Sequence, residues 1–175
     1  MEPVISQKSE MKLVGMSFFG DPFDTSDTWT EENQIGRLWQ RFMGYLQQNA
    51  NAIKHTAAEK AMYEVHIYHP ETFEKGLFEI FVGVRVEQLE AVPVDLLVKN
   101  LPASEYAVFT LAGEQIASDW EMIIENWLAR ESYRRNHPFS YQYYDERFKG
   151  LENITESFLD VYLPIEKIED RSSKK

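Results

Sequence analysis

Apolar and polar positions along this chain recur with two periods, one of about 3.6 residues and one of two, and they change over at recognisable breaks. Leu13 to Phe19 is apolar and runs into Gly20 and Asp21-Pro22, which predicts a strand ending in a loop. From Asp21 to Thr30 the residues are small, polar or aromatic and predict a long connection. Thr28 and Glu31 then stand at the spacing of a capping box. Beyond them Ile35, Leu38, Trp39, Phe42, Met43 and Leu46 fall on one helical stripe that should end near Asn49 to Asn51. In Met62 to Tyr68, Tyr63, Val65 and Ile67 alternate with Glu64, His66 and Tyr68, as in a half-buried strand. His69-Pro70-Glu71 breaks that pattern, and Phe78 to Val86 resumes it as a second strand.

The second half repeats this order. Tyr106 to Leu111 predicts a strand, Ile116, Trp120, Ile123, Ile124, Trp127 and Leu128 a helical stripe, and Phe139 to Phe148 and Phe158 to Ile165 two more strands. The helix positions superpose with one offset, since 116 − 35, 120 − 39 and 123 − 42 all equal 81, and the same offset lays Phe78 to Phe81 on Leu159 to Tyr162. A shared register predicts a tandem strand-helix-strand-strand unit, with pseudo-repeats at about 1–90 and 91–168 in a single domain and a flexible tail at 169–175. The expected fold class is α+β: an antiparallel sheet with both main helices on one face, because each helix has one apolar stripe to bury. A groove between the helices follows, floored by strand residues near the pseudo-axis.

Composition narrows the function. There are 18 Lys plus Arg against 29 Asp plus Glu in 175 residues, a net charge of −11, which argues against direct nucleic-acid binding. The absence of Cys removes disulfides, thiolate metal sites and cysteine nucleophiles. Neither a signal peptide nor an apolar run of membrane-spanning length is present, so a soluble, cytoplasmic protein without a membrane partner is expected. The 11 Phe, 9 Tyr and 4 Trp beside an excess of acid suit a flat or cationic organic ligand, although rings also fill cores.

The stretches MEPVISQKSEMKLVGMSFFG, IGRLWQRF, FVGVRV, LPASEYAVFTLAG, ENWL, YQYYDERF and DVYLPI, in this order from Met1 to Ile165, resemble the GyrI-like small-molecule-binding domains. That family includes the effector-binding domains of AraC-type and MerR-type bacterial multidrug regulators. The resemblance implies the duplicated fold and binding of hydrophobic, often cationic, molecules in the groove. With no helix-turn-helix ahead of the first strand, a stand-alone member is expected, serving effector sensing or sequestration with a link to transcription regulation. The family carries an acidic residue on the fifth strand facing the groove, and the alignment puts Gln142 there. An amide supplies no counter-charge, so neutral ligands should be favoured and Gln142→Glu should improve binding of cations. By period two, Gln142, Tyr144 and Glu146 share a face, so Glu146 could substitute in part from the strand's end. Trp39, Phe42 and Trp127 are candidates for the groove walls, with Tyr68 and Tyr106 as further ligand contacts.

His66 and His69 suggest a metal pair, but three residues apart on a strand they point to opposite faces, and no metal site is expected. No phosphate-cradling glycine loop, nucleotide fingerprint or serine elbow occurs, so no cofactor and no catalytic residue is expected. Two alternatives come from the same resemblance: a hydrolase of electrophilic cyclopropane-containing natural products, with Glu146 as base, and a gyrase-inhibitor-like interaction protein whose partner is unknown.

Overall fold

A computed structural model describes residues 1–22 and 33–168. The Thr28–Glu31 capping box, most of the long connection and the 169–175 tail lie outside the described residues. In chain order the elements are β1 (Val4–Lys8), β2 (Met11–Gly20), α1 (Gln34–Gln48), β3 (Met62–Tyr68), α2 (Pro70–Lys75), β4 (Phe78–Val86), β5 (Leu97–Leu101), β6 (Ser104–Ala112), α3 (Trp120–Leu128), β7 (Tyr133–Arg135), β8 (Phe139–Tyr144) and β9 (Phe158–Lys167). All strands pair antiparallel in the order β1-β6-β9-β8-β3-β4-β2-β5, with β7 alongside β9. This is the α+β antiparallel fold that the sequence implies. The order is symmetric about the β8–β3 seam, and each half's leading strand, β1 or β5, pairs into the other half.

That exchange bends the sheet. β1 and β2 are joined only by Ser9 and Glu10, yet they hold the first and seventh places in the strand order. In a flat sheet six steps would separate them by roughly 29 Å, whereas three residues of chain reach about 11 Å at most. The sheet therefore curls until its two ends meet. Leu13 of β2, Leu101 of β5 and Tyr106 of β6 accordingly share one core with Tyr63, Val65, Phe81, Phe139 and Tyr141 inside the curl. Tyr141 and Tyr162 stack there with centroids 4.5 Å apart, and burial pushes the Tyr106 and Tyr162 phenols up to about 12. Gly15 and Gly83 face each other across β2 and β4, where a Cβ on Gly15 would come within 1.9 Å of the Val82 carbonyl oxygen.

On the outer face, cross-strand pairing sets Met16, Val82, Glu64, Gln142, Val161 and Phe109 in one row. α1 buries Ile35, Leu38 and Phe42 against Val14, Met16, Ile80 and Val82 on one side of that row. α3 buries Ile124 and Trp127 against Phe109, Leu159, Val161 and Leu163 on the other. The polar pair Glu64 and Gln142 falls between the two apolar patches, and Trp39 packs against both.

Several local expectations are corrected. The stripe from Ile116 to Leu128 is broken: Gly113–Ala117 is a 3-10 turn, and Asp119 caps a separate α3 by accepting from the Met122 amide at 3.3 Å. α1 is capped by Asn33, whose side chain accepts from the Gly36 amide at 2.9 Å. β8 stops at Tyr144, because Arg147 folds back onto Asp145 and reaches Asp160 at 2.5 Å, turning the chain away from the sheet. Glu146 is thus in a turn and does not continue the face of Gln142 and Tyr144. The break after His69 is a short helix, α2, with His69 at its N-cap. The offset of 81 does not run through the sheet: β5 and β6 start 93 residues after β1 and β2 (97 − 4 and 104 − 11).

Candidate functional site

The polar seam lies at the floor of the groove between the helices. Glu64 of β3 is only 1% exposed, and its carboxylate collects donors from three directions. The Trp39 indole Nε1–H donates to Oε2 at 2.5 Å, and the Gln142 amide nitrogen donates to Oε1 at 3.2 Å. His66 Nε2 lies 2.7 Å from the same Oε1. Tyr144 donates its hydroxyl to the Gln142 Oε1 at 2.8 Å, fixing the amide so that its nitrogen faces the carboxylate. Burial drives the Tyr144 phenol well above its ordinary value, and the neighbouring Glu64 charge adds to the rise. A buried carboxylate is costly unless it is paired and hydrogen-bonded, and this set of donors meets that requirement.

Two cavities open on either side of this network. The larger, about 870 Å³, lies between Trp39 and Met43 of α1, Met62 at the start of β3, and the Tyr143 to Leu151 segment with Tyr144 and Phe148. Trp39 meets Tyr144 edge to face at 5.3 Å, and Tyr144 meets Phe148 at 5.0 Å. Acidic Glu59, Asp145 and Glu146 stand around this cavity beside Lys60. The smaller, about 410 Å³, has Glu64, His66 and Gln142 on its floor and Trp120, Tyr68, Phe78 and Ile35 around them. Tyr68 donates to Glu121, which Arg135 also binds at 2.7 Å from over the Tyr68 ring. Burial, then the Glu121 charge, raises the Tyr68 phenol above its usual range, so it acts as a neutral donor.

Of the candidates from the sequence, Trp39, Tyr68, Gln142, Tyr144 and Glu146 line one cavity or the other. Phe42 and Trp127 do not: each points from its helix into the apolar core beneath it, and Trp127 stacks on Tyr133 at 5.6 Å. Tyr106 is on the inner face of the curl, with the whole sheet between it and the groove. His69 pairs with Glu79 at 3.1 Å, away from His66. Glu64 and Trp120 are the residues that sequence reasoning missed. Glu64 sat in the polar phase of the β3 alternation and passed for a solvent-facing position. Helices cover that phase, so a buried carboxylate stands beside Gln142 on the neighbouring strand.

A duplicated, curled antiparallel sheet with a cleft between two helices is here the fold of an effector-binding domain. Residues 4–165 match the integron-associated effector binding proteins of the Cass2 family, and the chain belongs to that family. It is 31% identical over 168 residues to the transcriptional regulator BrlR of Pseudomonas aeruginosa, covering 94% of this chain and 56% of that protein. The chain thus spans about half the length of this curated relative. The structure of SAV2435 bound to tetraphenylphosphonium is similar in fold, with a TM-score of 0.71 at 16% identity over 98% of both chains. An integron cassette protein from Vibrio cholerae is similar with a TM-score of 0.53 at 14% identity, over 95% of this chain and 97% of that one. Among the described residues no helix is long and apolar enough to cross a membrane.

Proposed function

We propose that the domain binds flat hydrophobic molecules, neutral or cationic, in the groove between α1 and α3, and serves to sense or sequester them. The observation that carries this reading is the buried Glu64 carboxylate behind an aromatic wall: Trp39 and Tyr144 line the larger cavity and turn their polar atoms toward the floor. A flat ligand would be desolvated between the rings and Met43, Met62 and Phe148, while floor and rim carboxylates would favour positive charge. The 31% identical relative is a transcriptional regulator, which supports an effector role for this domain.

Fluorescence titration tests the proposal with two probes of nearly equal shape, the N-methylquinolinium cation and neutral 1-methylnaphthalene. Both should quench Trp39 and bind more tightly than about 1 mM, equivalent to ~4 kcal/mol. Trp39→Phe should remove most of the quenching and weaken both ligands. Binding weaker than millimolar by either probe, or quenching unchanged in Trp39→Phe, would refute the assignment of the groove.

A further inference from the structure

We propose that His66 is a built-in competitor for cationic ligands, so that a cation bound in the groove beside the Glu64 network expels a proton from the imidazole and the groove's charge preference changes with pH. The inference rests on the groove being the ligand site. An ionised carboxylate only accepts hydrogen bonds, so at 2.7 Å from Glu64 Oε1 the His66 Nε2 carries a hydrogen. The second proton of an imidazolium would then sit on Nδ1, which has no hydrogen-bond partner among the described residues. The neutral and charged rings therefore keep the same bond to Glu64 and differ only in net charge.

The surroundings make that charge matter. The His66 and Glu64 side chains are 14% and 1% exposed, so solvent screens them poorly. Gln142 and Ser140 face His66 from β8, both neutral, and Ile80 faces it from β4. From α3, Trp120 tilts against the imidazole at 5.7 Å, while Glu121 is taken up by Arg135 and Tyr68. Asp119, also at this cavity, is bonded to the Met122 amide. Tyr68, on the same face of β3, is a neutral donor to Glu121. Among the described residues around this cavity, His66 is thus the one group that can switch between neutral and positive, and it holds the carboxylate that a cation would seek. A bound cation disfavours imidazolium by like-charge repulsion, and imidazolium disfavours the cation equally, by linkage.

When His66 is protonated, N-methylquinolinium should bind with release of close to one proton, and its Kd should fall by up to about tenfold per pH unit before levelling off at higher pH. The Kd of 1-methylnaphthalene should stay flat. Titration calorimetry from pH 5.5 to 8, repeated in phosphate and Tris buffers of different ionisation enthalpy, counts the released protons directly. In His66→Gln the cation should bind with a flat pH profile and no proton release. A flat profile for the cation in the unmodified protein, or a slope that persists in His66→Gln, would overturn the exchange while leaving the groove assignment standing. Failure of both probes to bind would overturn both. Should His66→Gln prove too unstable to titrate, proton counting on the unmodified protein decides the matter.

Discussion

Gln142→Glu is the substitution that the sequence and the structure read most differently. From the sequence it restores a missing counter-charge; in the structure it sets a second carboxylate opposite Glu64, replacing an amide nitrogen 3.2 Å from Oε1. Two unit charges about 4 Å apart at an effective dielectric of about 20 repel by roughly 4 kcal/mol, nearly a thousandfold in an equilibrium constant. The donor bond from the amide is lost as well, while the acceptor for Tyr144 is kept. One carboxyl of such a pair takes up a proton, so the pair titrates at a higher pH in the folded state than in the unfolded chain. A folded value above the unfolded one leaves stability intact at low pH and erodes it as pH rises. Urea unfolding followed by circular dichroism should therefore find the variant close to the unmodified protein at pH 5 and about 2–4 kcal/mol less stable at pH 8. Combining it with Glu64→Gln exchanges the charge across the seam and should recover most of the loss, giving a large coupling energy in a double-mutant cycle. The reasoning fails if Gln142→Glu loses no stability between pH 5 and pH 8, or if the double variant is no more stable than the single one.

Gly15→Ala forces a Cβ to within 1.9 Å of the Val82 carbonyl oxygen, a clash with backbone that no rotamer relieves, and should cost at least about 2 kcal/mol in urea unfolding; a loss under 0.5 kcal/mol would show that β2 and β4 are not so close. Burial opposes ionisation of Glu79, but hydrogen bonds from Lys99, Ser17 and His69 outweigh it and hold the carboxyl below its usual range. Its stabilising contribution is complete above the unfolded value of about 4.3 and is lost as pH falls through the lower folded value. Lys99→Met should lower Tm at pH 6 by about 2–4 °C, on the order of 1 kcal/mol after solvent screening, with the deficit vanishing in strong acid; an equal deficit at pH 2.5 and 6 would refute it.

The elements with a strong internal period were legible. Met62–Tyr68 and Phe78–Val86 are strands with the expected bounds, because each alternates apolar and polar residues over a face buried in the curl or under a helix. β1, β5 and β7 were not expected. They are short edge strands, with Val4, Leu97 and Val98 exposed, and their pairing comes from the curl of the whole sheet and not from any local pattern. The stripe from Ile116 to Leu128 read as one helix because the 3-10 turn places Ile116 on the same apolar core as Ile124, so periodicity survives where the hydrogen bonding breaks. Phe42 and Trp127 share helical stripes with groove residues, and a stripe alone does not show which of its edges is core and which is wall.

The floor was harder to read for a reason inherent in a duplicated fold. Each repeat contributes one helix, and each helix covers the apolar patch of its own strands, which leaves the seam between β3 and β8 to neither. Polar side chains placed there are shielded from water and must satisfy one another across the seam: Glu64 comes from one repeat and Gln142 from the other, while Trp39 and Tyr144 come from α1 and β8. A buried carboxylate in this seam can consequently come from either central strand, since the paired positions face the same side of the sheet. A search for an acid at one strand position tests only half of the seam. Read within β3 alone, Glu64-His66 looks like the wet side of a strand; only the pairing of Glu64 with Gln142 shows that this side faces the groove.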